Sequence, residues 1–243
     1  MKNRDEPGYL LGMDSVRPPR LALFDFDGTL VDSQHAIQTC MESAFKGVGL
    51  VPPALSQTHR VIGLPLERCM AILAPDSDGA THARLVDGYK EAFFALRTEG
   101  GMVEPMFPGA LAALDALEAD GWLLGIATGK ARRGLDAVLA SHSLSRRFVT
   151  LQTADRAPGK PDPTMVHWAL EEAGVAHADA VMIGDTSYDM AMAKAAGVRA
   201  IGVVWGYHSA EDLTRAGADR LAVAYDEIPG LVRELWEKRT CAS

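Results

Sequence analysis

Apolar and polar positions follow two different rhythms along this chain. From about Trp122 onward, short apolar runs trade places with segments of helical period. Trp122 to Ala127 is an apolar run, Lys130 to His142 carries Leu135, Val138 and Leu139 at helical spacing, and Phe148 to Leu151 is a second short run. Pro163 to Ala173 reads as a helix ended by Gly174, Ala180 to Ile183 as a strand, and Tyr188 to Ala196 as a helix ended by Gly197. Ala200 to Val204 then predicts a strand, Ala210 to Ala216 a helix, Leu221 to Val223 a weak strand and Ile228 to Glu237 a closing helix. Strands alternating with helices predict an α/β fold, a parallel sheet covered on both faces. Leu21 to Leu23 supplies an earlier strand.

Between Leu30 and Pro108 the rhythm is helical throughout: Ile37, Met41, Ala44 and Phe45; then Leu66, Met70, Ile72 and Leu73; then Leu85, Tyr89, Phe93 and Leu96. Val61-Ile62 is the one weak strand signal there. The pattern therefore predicts an α/β core of residues 20–31 and 108–243, a helical cap of residues 32–107, and a loose polar tail over residues 1–19. An insertion at the C-terminal end of strand one lies over a site at that edge, like a lid.

Composition narrows the function. Of 243 residues 48% are hydrophobic and 23% charged, as in an ordinary globular protein. The net charge of −8 disfavours nucleic acid or an anionic membrane as partner. An acidic protein that handles an anion needs local positive charge from Lys, Arg or a metal. Cys40, Cys69 and Cys241 are scattered, odd in number and without metal-ligand spacing. Free thiols in a reducing, cytoplasmic setting are expected. No apolar run reaches the ~20 residues of a membrane span, and Tyr9-Leu10-Leu11 is too short for a signal peptide.

The chemistry concentrates at predicted strand ends. Leu21-Ala22-Leu23 runs into Phe24-Asp25-Phe26-Asp27-Gly28-Thr29-Leu30. In open α/β sheets ligands bind at the C-terminal edge. Two acids one residue apart face opposite sides of a regular strand. For both to face one site the chain must leave the strand at or just after Asp25, and Gly28 permits that bend. Thr128-Gly129 follows the second strand, Lys160 sits in Gly159-Lys160-Pro161-Asp162-Pro163, and Asp185 follows Val181 to Gly184 with Asp189 one turn further on. Singly these are turn, cap and surface residues; jointly they suit phosphoryl transfer. A carboxylate can be the covalent nucleophile, and clustered acids call for a hard cation such as Mg²⁺. Lys160 can hold the acids and a phosphate oxygen, Thr128 can donate to another, and Asp27 can act as acid and then base. Neither Gly159-Lys160 nor Gly129-Lys130 completes a P-loop, and no dinucleotide or zinc motif is present.

In this order, over residues 20 to 235, these strings resemble the haloacid dehalogenase-like superfamily, in the subgroup of phosphatases with a helical cap after the first strand. The string Asp25 to Ser33, Thr128 to Lys130, Gly159 to Pro163 and Gly184 to Asp189 carry the resemblance. It implies a Rossmann-like, five-stranded core with Asp25 on the central strand, Asp25 as nucleophile and Asp27 as acid/base. It implies Mg²⁺ at Asp25, the Asp27 backbone carbonyl and Asp185, with Asp189 behind the ion or supporting Lys160. Dehalogenases of the superfamily lack the second Asp, so Asp27 argues against dehalogenation. Arg60 to Leu66 and Gly197 to Gly206 resemble phosphoglycolate phosphatase-like members, which implies a small phosphorylated metabolite as substrate. Gly129, Arg60 and Arg68 are the candidates for contacting it. A phosphomutase of the β-phosphoglucomutase type and a non-catalytic phospho-ligand regulator are the alternatives. A monomer or homodimer is expected.

Overall fold

The computed structural model describes residues 18–100 and 104–240. Most of the predicted tail, and Cys241, lie outside the described residues. In chain order the elements are β1 (Arg20–Phe24), α1 (Gln34–Gly47), α2 (Leu55–His59), α3 (Leu66–Leu73), α4 (Gly79–Thr98), α5 (Ala110–Ala119), β2 (Trp122–Thr128), α6 (Arg132–Ser141) and β3 (Phe148–Thr153). There follow α7 (Thr164–Ala173), β4 (Ala180–Gly184), α8 (Ser187–Ala195), β5 (Arg199–Val203), α9 (Ala210–Ala216), β6 (Arg220–Ala222) and α10 (Ile228–Thr240).

The strands form one parallel sheet in the order β3-β2-β1-β4-β5-β6. β1 is interior, with Phe24 paired to Ile126 on one side and Ile183 on the other. A parallel strand with helices over both faces must be apolar on both, which is why Leu21 to Phe24 reads as a continuous apolar run. Its side chains alternate between two cores. Ala22 and Phe24 pack under α5 and α10, whereas Leu21 and Leu23 pack under α7 and α8. The sheet has six strands, not the five implied by resemblance. Arg220–Ala222 adds an edge strand, one residue earlier than the Leu221 to Val223 signal, through pairs such as Gly202 with Leu221. Successive strands build outward in opposite directions from β1, and the crevice at such a switch point is where ligands sit.

Helices α1 to α4 lie between β1 and β2, and α1, α3 and α4 share a separate buried cluster that includes Met41, Phe45, Met70 and Leu85. Val61-Ile62 is a turn after α2, not a strand. The insertion leaves and rejoins the sheet at one place. Val31 bridges Asp27 in parallel and Met106 in antiparallel fashion. Asp32 N–H donates to the Pro105 carbonyl at 2.8 Å and Phe107 N–H to the Leu30 carbonyl at 3.0 Å. Among the described residues no helix is long and apolar enough to cross a membrane.

Candidate active site

The first carboxylate is fixed by the last rung of the sheet. Asp25 N–H donates to the Ile183 carbonyl at 2.8 Å. The chain then leaves the strand, and Gly28 turns at φ +83° with its N–H on the Val31 carbonyl at 2.9 Å. This is the bend needed for Asp25 and Asp27 to share one cavity. Gly28 also has no room for a side chain: a Cβ there falls 2.4 Å from Asp185 Oδ2.

Three further strand ends and the start of α8 deliver the rest. Thr128, the last residue of β2, is buried, and its Oγ1 accepts the Lys130 N–H at 3.1 Å. Lys160 follows β3 in the loop before α7 and is fully buried. Its Nζ lies 2.6 Å from Asp25 Oδ1 and 2.6 Å from Asp189 Oδ1. Both contacts are buried ion pairs. Asp185 follows β4. Its Oδ1 accepts from Thr29 Oγ1 at 2.8 Å and its Oδ2 from the Tyr207 N–H at 2.9 Å. Asp189, in the first turn of α8, accepts on Oδ2 from Thr186 N–H at 3.0 Å and Thr186 Oγ1 at 2.6 Å.

Burial sets the electrostatics. It pushes the Asp25 carboxyl up to about 7 against the pull of Lys160, with Asp189 and Asp27 adding repulsion. Asp185 is raised well above the carboxylate range by burial and by the charges of Asp25 and Asp189. Burial opposes the charge on Lys160, but Asp189 and Asp25 outweigh it and hold the ammonium above the usual lysine range. One ammonium thus pairs with two of three buried acids, and among the described residues Asp185 has no cation against it. Among the described residues, Asp25, Asp185 and Asp189 are the one group of acids, histidines or cysteines with ligand atoms all within 4.8 Å of one another. An all-oxygen donor set with excess negative charge fits a hard divalent cation such as Mg²⁺.

A second buried network was not anticipated from sequence. Lys130 Nζ donates to Asp27 Oδ1 at 2.8 Å and to Glu104 Oε1 at 2.7 Å, and Ser33 Oγ donates to the same Asp27 oxygen at 2.6 Å. Burial opposes the Lys130 charge, yet Asp27 and Glu104 raise its pKa above the usual range. Lys130, Thr29 and Ser33 carried a signal, because they stand in the strings Thr128 to Lys130 and Asp25 to Ser33; Glu104 and Tyr207 carried none.

Asp25, Asp27, Thr128 and Gly129 line a cavity of about 530 Å³ between the sheet edge and the helical insertion. Gly129 lies against the insertion, since a Cβ there comes 3.3 Å from the Gly63 carbonyl. Lys160, Asp185 and Asp189 lie beneath the floor. Arg60 and Arg68 are exposed and do not line the cavity. Arg60 contributes its carbonyl, which accepts from Tyr188 Oη at 2.8 Å. Lys90, Arg97, Lys130 and Arg133 are the cations at the cavity instead.

Known proteins are similar to this chain in sequence and fold. The chain is 33% identical over 219 residues to the "Probable phosphatase IndB" of Dickeya dadantii, covering 88% of this chain and 94% of that protein. It is 34% identical over 195 residues to a phosphoglycolate phosphatase of Xylella fastidiosa, covering 80% and 84%. A haloacid dehalogenase-like hydrolase structure from Streptococcus pneumoniae superposes with a TM-score of 0.77 at 25% identity, over 88% of this chain and 98% of that one. The sequence profile of the haloacid dehalogenase-like hydrolases matches residues 22–203, and the chain belongs to that family.

Proposed function

We propose that the chain is an Mg²⁺-dependent phosphatase that hydrolyses a small organic phosphate monoester through a phosphoryl group carried on Asp25. The observation that carries this reading is the buried Lys160 bridging Asp25 and Asp189 beside Asp185, directly under a cavity that Asp25 and Asp27 open into. The phosphatase names of the relatives support it. Asp25 and Asp185 are the metal ligands in this reading, with the Asp27 backbone carbonyl. Both Asp189 oxygens are engaged already, so Asp189 supports Lys160 and the start of α8. Mg²⁺, when bound, supplies the charge that lets a phosphate approach a carboxylate.

The Asp25 carboxylate attacks phosphorus while the bond from phosphorus to the alcohol oxygen breaks, and Asp27 gives its proton to that oxygen. Water then attacks the phosphorus of the acyl phosphate. Asp27 takes a proton from the water, and inorganic phosphate leaves with the Asp25 carboxylate restored. Thr128 Oγ1 and Lys160 balance the charge on the phosphoryl oxygens. The test is phosphate release from a panel of phosphorylated metabolites, phosphoglycolate first, with Mg²⁺. Asp25→Asn is expected to lower kcat by roughly 10³-fold or more with unchanged circular dichroism. A kcat within tenfold of the unaltered chain overturns the nucleophile assignment. Activity that persists in excess chelator overturns the metal.

A further inference from the structure

The cavity floor is acidic and charged, but its walls are apolar. Met41, Val61, Leu64, Tyr89, Phe93 and Phe94 line it from the helical insertion, in direct continuity with Asp25 and Asp27. The junction is tight. Lys130 Nζ stands 2.8 Å from Asp27 Oδ1 and 5.1 Å from the centre of the Phe93 ring, so the aromatic wall begins where the acid/base carboxylate ends.

Two of the four cations at the cavity, Lys130 and Arg97, are already engaged with acids, and the other two lie exposed at its rim. Lys130 is held between Asp27 and Glu104. Arg97 donates to the Arg133 and Gly134 carbonyls, lies 3.8 Å from Glu104 Oε2 and stacks on Phe93. Lys90 lies 3.8 Å from Glu67. The Arg133 guanidinium is 4.9 Å from the centre of the Phe94 ring, at the exposed rim. A second anionic group on a substrate therefore meets mostly apolar walls, two cations already paired with acids, and the exposed Lys90 and Arg133 at the rim. An unpaired charge held against apolar surface is penalised, whereas an uncharged apolar body is favoured there.

Resting on the phosphatase reading, we infer that the preferred substrates are monophosphates of uncharged alcohols with an aromatic or bulky aliphatic body, and not phosphoglycolate. The phosphoryl group sits at Asp25. The alcohol oxygen faces Asp27, and the apolar body fills the space between Phe93 and the Val61 to Leu64 turn. Phosphoglycolate, with two carbons and a carboxylate, leaves most of about 530 Å³ unfilled and makes little contact with the apolar walls.

The test compares kcat/KM for phosphate release by the full chain with Mg²⁺ on 2-phenylethyl phosphate, 2-hydroxyethyl phosphate and phosphoglycolate. The first is expected to exceed each of the others by about tenfold or more. A smaller or reversed ratio, with phosphoglycolate turned over, overturns the substrate class and leaves the phosphatase reading standing. Release from no phosphate ester at all overturns both. Phe93→Ala is expected to shrink the preference for 2-phenylethyl over 2-hydroxyethyl phosphate by about threefold or more. That ratio is insensitive to general damage to the catalytic floor, and an unshrunken ratio overturns the assignment of Phe93.

Discussion

Lys160 shows how much depends on one side chain. It is fully buried, 2.6 Å from each of two carboxylates, and no other lysine or arginine touches either of them through a described ion pair. Breaking a buried pair leaves uncompensated charge, which costs about 3–5 kcal/mol. Lys160→Met is therefore expected to lose stability of that order in urea unfolding without metal, and Mg²⁺ should recover part of it. Gly206 is as exacting for a steric reason. A Cβ there falls 2.2 Å from the Asp185 Cβ, so Gly206→Ala must displace the Asp185 side chain. The expected result is loss of the Mg²⁺-induced rise in melting temperature. Lys160 was legible because it stands in a short string beside a predicted helix start. Lys130 was not assigned, because its role comes from Asp27 and Glu104, which are 103 and 26 residues away and meet it only in the fold.

Helix α8 couples a local signal to the site. Thr186 and Asp189 form a reciprocal capping box, in which Asp189 N–H donates to Thr186 Oγ1 at 3.3 Å and Asp189 accepts from Thr186 in return. The same Asp189 anchors Lys160, so the helix start and the buried ion pair share one carboxylate. Thr186→Val removes the cap and is expected to cost about 1 kcal/mol in urea unfolding, with a larger fall in kcat than that stability loss accounts for. The strand-helix alternation after Trp122 was readable because buried parallel strands and amphipathic helices have different periods. Helix α4 marks the limit of that reading. Leu85, Tyr89 and Phe93 share a helical period, yet Leu85 is buried in the insertion while Tyr89 and Phe93 also line the cavity. Period reports that a face is covered or apolar, not what it meets.

Across the whole molecule the site is built from residues between Asp25 and Tyr207, and its charge balance ties metal binding to pH. The folded Asp25 carboxyl titrates near 7 against an ordinary 3.8, and Asp185 is raised in the same direction, both chiefly by burial. The folded protein then holds protons that the unfolded chain has released, so without metal stability falls as pH rises from about 4 to 7. A cation must displace those protons. The Mg²⁺-induced rise in melting temperature is therefore expected to be larger at pH 8 than at pH 5.5, as calorimetry can measure; the reverse order contradicts the assignment of Asp25 as a ligand. Contact between the insertion and the sheet is equally specific. A Cβ on Gly159 lands 2.2 Å from Pro65 Cγ, so Gly159→Ala is expected to raise KM, and adding Pro65→Ala should reverse most of that rise.

The bridge of Val31 to Met106, with Asp32 bonded to Pro105, puts the two ends of the helical insertion side by side. To the sheet, everything from Asp32 to Pro105 is then one wide turn. If the proposed function holds, the insertion that walls the space for the alcohol is a closed excursion, and its length is independent of the register of the strands that carry Asp25, Thr128 and Asp185.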